Sequence, residues 1–233
     1  MRAVLPHHRP GTLVLSASQW ETIEALRAGE PVTDEALDTL YPADIRELSS
    51  RFWTPASVAV RAAQLCAPEG RARVLDVGAG VGKFCLVGAL VTESIFVGVE
   101  HRRALVDVGR EVIAAVGARN ARLVHGTIED IDFSYFDALY FYNPFEENLV
   151  APSWQMDGAV PLSLERFQED VTRIEAALEA APPGMRVVTY QGFGGKMPPD
   201  YEIVEEDPEG APHLRLWVKQ EHGPHRIPQG TRR

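Results

Sequence analysis

Three groups of residues have the types and spacing to do chemistry. Asp76, Gly78, Gly80 and Gly82 stand at alternate positions behind the apolar pair Val74-Leu75. Glu100 closes a second apolar run, Ile95 to Val99, and Asn143-Pro144-Phe145 follows a third, Ala138 to Tyr142. A turn of glycines is stripped of side chains, so a ligand can lie against backbone at the start of a helix. A carboxylate at the end of the next strand can accept both hydroxyls of a ribose. An asparagine amide at a later strand end can take a hydrogen bond from an amine and aim it. The spacing separates ligand classes. A dinucleotide turn, G-x-G-x-x-G counted from Gly78, needs glycine where Lys83 stands, and a Walker A loop needs Ser or Thr where Phe84 stands. Plainer readings exist: a tight strand-helix turn also uses glycines, and Glu100 alone reads as a solvated strand end. The separation of Asp76 and Glu100 also admits a nicotinamide cofactor, which the missing third glycine argues against.

An α/β frame must hold these groups. Short apolar runs predict a strand that ends at Asp76, strands at 94–100, 121–125, 137–142 and 185–190, and a closing pair at 201–205 and 214–218. Between them, Leu105, Val108, Val112 and Val116 mark one helix, and Leu164, Phe167, Val171, Ile174 and Leu178 another that starts at Ser163. The segment after Gly82 is apolar nearly all round and predicts a buried helix. Residues 146–161 form a long irregular connection with Trp154 and Met156, either a substrate lid or a loop tied down by one aromatic. Upstream, Ser18 and Thr33 are candidate caps for small helices. Thr54 caps a stronger one with Pro55 in its first position and Val58, Ala62, Leu65 and Cys66 inward. The expected division is an N-terminal helical extension over 1–51, a main domain over 52–221 and a mobile basic tail over 222–233.

The run Asp76-x-Gly78-x-Gly80-x-Gly82, with Glu100 one strand on, resembles the first motif of class I S-adenosylmethionine (SAM) methyltransferases. The likeness covers roughly Phe52 to Val218. It implies a three-layer α/β sandwich whose seven-stranded sheet is mostly parallel, with one strand reversed, and it implies SAM as cofactor and S-adenosylhomocysteine as product. It also assigns positions. Phe52, Trp53 and Thr54 match the aromatic-x-Pro segment that covers the methionine end of SAM, and Phe52 and Thr54 are the expected contacts. Asp76, Gly78, Ala79, Gly80 and Gly82 form the motif turn, with Glu100 and His101 at the ribose. Thr127, Ile128 and Glu129 fall in the loop that approaches the adenine. Asn143 faces the methyl donor, and Asn143 and Phe145 are the candidate catalytic residues. A narrower likeness is to the non-SET (Dot1-like) histone-lysine methyltransferases, through Asn143-x-Phe145 and Leu164-Glu165-Arg166-Phe167. It departs at Pro144 and Glu146, so it speaks to the pocket and not to histones. Asn143-Pro144-Phe145 is also similar to a shortened [Asp/Asn]-Pro-Pro-[Tyr/Phe] motif of amino-group methyltransferases.

The implied activity is methyl transfer to an amine nitrogen of a protein lysine or a small molecule. The alternatives are an RNA or DNA base N-methyltransferase and a non-catalytic SAM-binding module. A net charge of −10 over 233 residues weighs against a nucleic-acid partner. Cys66 and Cys85 form no C-x-x-C pair and sit in apolar runs, which reads as buried free thiols and a cytoplasmic chain. The seven histidines show no metal-ligand spacing, so no metal is expected. No apolar run reaches membrane-spanning length, and the first eight residues lack a signal peptide's apolar region.

Overall fold

Strands buried on both faces need helices on both sides, and the runs 74–77, 96–100, 138–142 and 186–190 are of that kind, with no exposed position. The computed structural model describes residues 13–207, 211 and 213–221. The expected tail over 222–233 lies outside the described residues. Four helices, α1 (Ala17–Arg27), α2 (Asp34–Asp38), α3 (Ala43–Arg46) and α4 (Ser49–Phe52), precede α5 (Ala56–Cys66). Then come β1 (Arg73–Val77), α6 (Lys83–Val91), β2 (Ile95–Glu100), α7 (Arg103–Val116), β3 (Ala121–His125) and β4 (Ala138–Tyr142). After a long connection follow α8 (Leu164–Ala180), β5 (Arg186–Tyr190), β6 (Tyr201–Asp207) and β7 (Leu214–Lys219).

The seven strands lie in the order β3-β2-β1-β4-β5-β7-β6. All neighbours up to β5 are parallel, and β7 runs antiparallel to both β5 and β6. Six strands therefore share one direction and one is reversed, as expected. Period-two alternation splits the core. Tyr140 joins a cluster with Leu86, Phe96 and Leu105 on one face, while Phe141 joins Leu75, Ile174 and Leu178 on the other. Tyr140 lies flat on Phe84, ring centroids 3.9 Å apart, and its hydroxyl meets Thr54 Oγ1 at 3.0 Å. Ile23, Leu26, Leu37 and Leu40 of the N-terminal helices extend the first cluster. Cys66 and Cys85 are buried free thiols, and among the described residues no helix is long and apolar enough to cross a membrane.

Two caps differ from expectation. Ser16, not Ser18, starts α1: its extended backbone sets Oγ under Gln19 N–H, and the Gln19 amide returns to Ser16 N–H. Thr54 does not cap α5, because its hydroxyl is committed to Tyr140 and Pro55, at ψ 146°, is the capping residue. Asp34 supplies the missing acceptor by taking the Ala56 N–H at 2.8 Å. Thr33 and Ser163 cap α2 and α8 as expected.

The same Asp34 reaches Lys83 at the start of α6. The Lys83 ammonium is buried, 2.5 Å from Asp34 Oδ1 and 2.7 Å from Asp38 Oδ1. One cation thus pins α2 to the helix that begins behind the glycine turn. Removing it strands two carboxylates, and Asp34 is partly solvated, so the expected loss for Lys83→Ala is about 3 kcal/mol, the low end for breaking a buried pair. Urea denaturation checks this, and Lys83→Met combined with Asp34→Asn and Asp38→Asn should recover most of the loss.

Candidate functional site

The strand order reverses between β1 and β4, so the loops at these carboxyl ends diverge and leave a crevice. A cavity of about 360 Å³ fills it, within the range of small-molecule sites. An adjoining recess of about 30 Å³ shares Phe52, Trp53, Gly78 and Tyr142 as walls.

The turn after β1 is left-handed at each of its three glycines, with φ of 74° at Gly78, 55° at Gly80 and 73° at Gly82. A Cβ built on Gly80 would meet nothing within 4 Å, so this residue borders open space. One on Gly78 would come within 2.9 Å of Pro144 Cβ, so the turns after β1 and β4 touch. One on Gly82 would strike the Leu123 methyls at 2.8 Å: that glycine serves packing on β3 and borders neither space. The backbone donors are occupied. Gly78 and Ala79 N–H both bond Val99 O at 3.0 Å, Gly82 N–H bonds Ala79 O at 2.8 Å, and Gly80 N–H bonds Glu100 Oε2 at 3.0 Å. A ligand here meets glycine Cα atoms and carbonyls, not these amides.

Glu100 is buried and also takes Arg102 N–H on Oε1 at 2.7 Å. Burial raises its pKa, against the two backbone bonds and the Arg102 charge. Asp76 lies in the recess, with the Cys85 thiol 3.5 Å from Oδ2; burial pushes its pKa up to about 7, the thiol bond opposes the rise and Glu100 adds to it. His101 is held down to about 4, first by burial and then by the charges of Arg102 and Arg166.

After β4, Asn143 adopts φ 45°, with its N–H bonded to Gly192 O at 3.0 Å. Its Nδ2 donates to Glu146 Oε2 at 2.5 Å. Phe145 is buried against the second core cluster and shows an edge to the cavity.

Of the positions expected from sequence, Phe52, Gly78, Gly80, Glu100, His101, Thr127, Ile128, Asn143 and Phe145 border the cavity. Thr54, Asp76 and Ala79 border the recess. Glu129 borders neither. Thr127 caps a single 3-10 turn that points Ile128 inward and Glu129 outward, where it pairs with Arg173 of α8 at 2.8 Å.

Sequence reading missed the charged groups at the rim. Arg102 is buried, with Nη1 3.0 Å from Glu147 Oε2 and Nε 3.1 Å from Asp157 Oδ1. Arg51 stacks over Phe52 at 4.9 Å and over Trp154 at 5.2 Å, and its Nη2 donates to Trp154 O at 2.9 Å. The 146–162 connection is therefore tied across the mouth from both sides. Arginines scattered in polar stretches carry no periodic signal, so only their distant carboxylate partners could have singled them out. Trp53 has a buried Nε1 with no partner among the described residues, in a wall common to cavity and recess.

No protein-family model matches the chain, and no curated protein matches it. Solved structures do. The RNA methyltransferase of Salinibacter ruber, in complex with S-adenosyl-L-homocysteine, is 22% identical over 74% of this chain and 96% of that one, with a TM-score of 0.51. TrmN from Thermus thermophilus is 18% identical, over 76% of this chain and 52% of that one, at 0.50. A point mutant of MtNAS is 14% identical, over 88% and 70%, also at 0.50. The fold is that of the class I methyltransferases. The narrower likeness to histone-lysine methyltransferases is not carried by these neighbours.

Within this class I fold, the recess gives a pH signature. Asp76 binds its proton more tightly folded than unfolded, so its contribution to stability is complete below about pH 4 and is lost as pH rises through about 7. Between those limits the unliganded protein should lose stability relative to Asp76→Asn, which does not titrate, by on the order of a few kcal/mol. Urea midpoints of both proteins at several pH values across that window check the slope.

Proposed function

We propose that the chain is a SAM-dependent methyltransferase whose acceptor is an N–H nitrogen. The observation that carries this reading is the Asn143 amide: its NH₂ is committed to Glu146, which leaves Oδ1 as a hydrogen-bond acceptor at the cavity wall beside the glycine turn.

The residues present fit the cofactor. Gly80 borders open space, Glu100 brings a carboxylate to the same wall, and Trp53 offers a buried indole N–H without a partner among the described residues. In this reading Glu100 takes the ribose hydroxyls on lone pairs that Gly80 and Arg102 leave free. Thr127 and Ile128 wall the adenine side, with His101 next to Glu100. Phe52, Trp53 and Thr54 cover the methionine end above Asp76 and Ala79. Bound SAM supplies a methyl on a sulfonium, an electrophile with a neutral leaving group. The protein's own task is placement. Asn143 Oδ1 takes a hydrogen bond from the acceptor and aims the nitrogen lone pair, while Phe145 and Tyr142 limit its approach. An ammonium has no lone pair, so an amine acceptor must reach Asn143 unprotonated.

Glu146 at the rim suits an acceptor that is a cation in water, as a lysine side chain or a small amine is. A second reading is the exocyclic amine of a nucleobase, which needs the same acceptor atom. The RNA methyltransferase of Salinibacter ruber shares the fold and favours it, while the net charge of −10 opposes it. Labelled SAM incubated with protein, nucleic-acid and metabolite fractions of a lysate separates the two.

Gly80→Val should abolish SAM binding by calorimetry with an unchanged circular dichroism spectrum; unaltered affinity would refute the donor site. Asn143→Ala should keep SAM affinity and lose about a hundredfold in turnover on the acceptor the lysate identifies. Full turnover in that variant would remove Asn143 from the mechanism.

A further inference from the structure

Arg102 is a cation the reading above leaves without a task. Its backbone N–H holds Glu100 Oε1. Its Nη1 lies 2.8 Å from His101 Nε2, and because a guanidinium only donates, Nε2 must be the accepting nitrogen. The ring is then neutral with its proton on Nδ1, and among the described residues none accepts from that N–H. His101 borders the cavity. The same guanidinium binds the two acids that anchor the 146–162 connection, Glu147 and Asp157.

We propose that Arg102 is the positioning residue of the donor site: it fixes His101 as an Nδ1–H donor toward the ligand and holds the 146–162 connection down as a strap beside the ribose acid. The inference rests on the cofactor reading for the identity of the ligand. It extends that reading by giving the pocket a donor of defined tautomer and by tying the strap to the residue that orients it.

Two further observations support it. Arg102 Nη2 and Asp157 Oδ2 are both buried without a partner among the described residues. Nε and Nη2 share one edge of a guanidinium, and Asp157 already sits on Nε, so a small rotation of the carboxylate completes a two-bonded fork and tightens the strap. The surroundings of His101 also make Arg102 the deciding charge. Glu100 lies on its own strand, Arg166 faces it from α8, His125 from the end of β3, and Asp157 from the connection, with Glu147 behind Arg102. Without Arg102, three carboxylates lose their cation, and the imidazole loses both the donor that fixes its tautomer and the largest of the charges that, after burial, keep it neutral.

Imidazole ¹⁵N spectra of histidine-labelled full-length protein between pH 5 and 8 read this directly, with His101→Gln assigning the signal. Wild type should show His101 neutral and protonated on Nδ1 throughout. In Arg102→Met the Nδ1–H preference should be lost, with mixed tautomers or titration inside the window, and S-adenosylhomocysteine binding at pH 7.5 should weaken at least tenfold by calorimetry. Hydrogen exchange of 146–162 in the unliganded protein should quicken at least tenfold. Where Arg102→Met fails to fold, Glu147→Gln with Asp157→Asn isolates the strap: exchange quickens while His101 keeps its tautomer. A wild-type His101 that titrates near its ordinary value overturns the proposal, as does unchanged exchange in both variants. A wild type that binds no S-adenosylhomocysteine would instead overturn the cofactor reading, and the spectra and exchange would still decide the role of Arg102.

Discussion

A single buried carboxylate organises the carboxyl edge of this sheet. Glu100 ends β2 beside the crevice, and burial there is costly for a charge unless its oxygens are filled. Gly80 and Arg102 fill them from opposite sides. The first bond sets the glycine turn at the height of the second strand, and the second sets the start of α7. From that point the rest follows by contact: Gly78 against Pro144, Pro144 beside Asn143, and Arg102 out to the connection that crosses the mouth.

What could be read from the chain alone was whatever is local. Strand β3 falls where its apolar run lies, and α7 and α8 show their inward stripes because periodicity is written in consecutive residues. The glycine turn, Glu100 and Asn143 were legible for the same reason, since each closes a short apolar run. The seven strands with one reversed follow from a family resemblance, since the apolar runs alone imply only an α/β frame, and neither gives the order of the strands in the sheet. Pairings between distant residues left no trace. Nothing near Thr54 announces Tyr140, and nothing near Ala56 announces that Asp34 will take its N–H. Glu129 reads in sequence as a loop acid near the adenine, and nothing beside it announces its pairing with Arg173, far along the chain.

The N-terminal helices belong to this logic. They share an apolar cluster with Leu86 and Phe96, and their polar contribution is more pointed. Asp34 touches the first turn of α5 and the first turn of α6 at once. The two helices that flank β1 on one face are thereby held by a residue of neither.

This arrangement has an outcome for selectivity. A glycine-rich turn followed by Gly82-Lys83 looks on paper like an anion trap. Here the ammonium is neutralised by Asp34 and Asp38, and the Gly78, Ala79, Gly80 and Gly82 amides are already donated inward. A phosphate arriving at this bend would find neither that ammonium nor those four amides open to it. What reads in sequence as an anion site is thereby spent on holding the fold together.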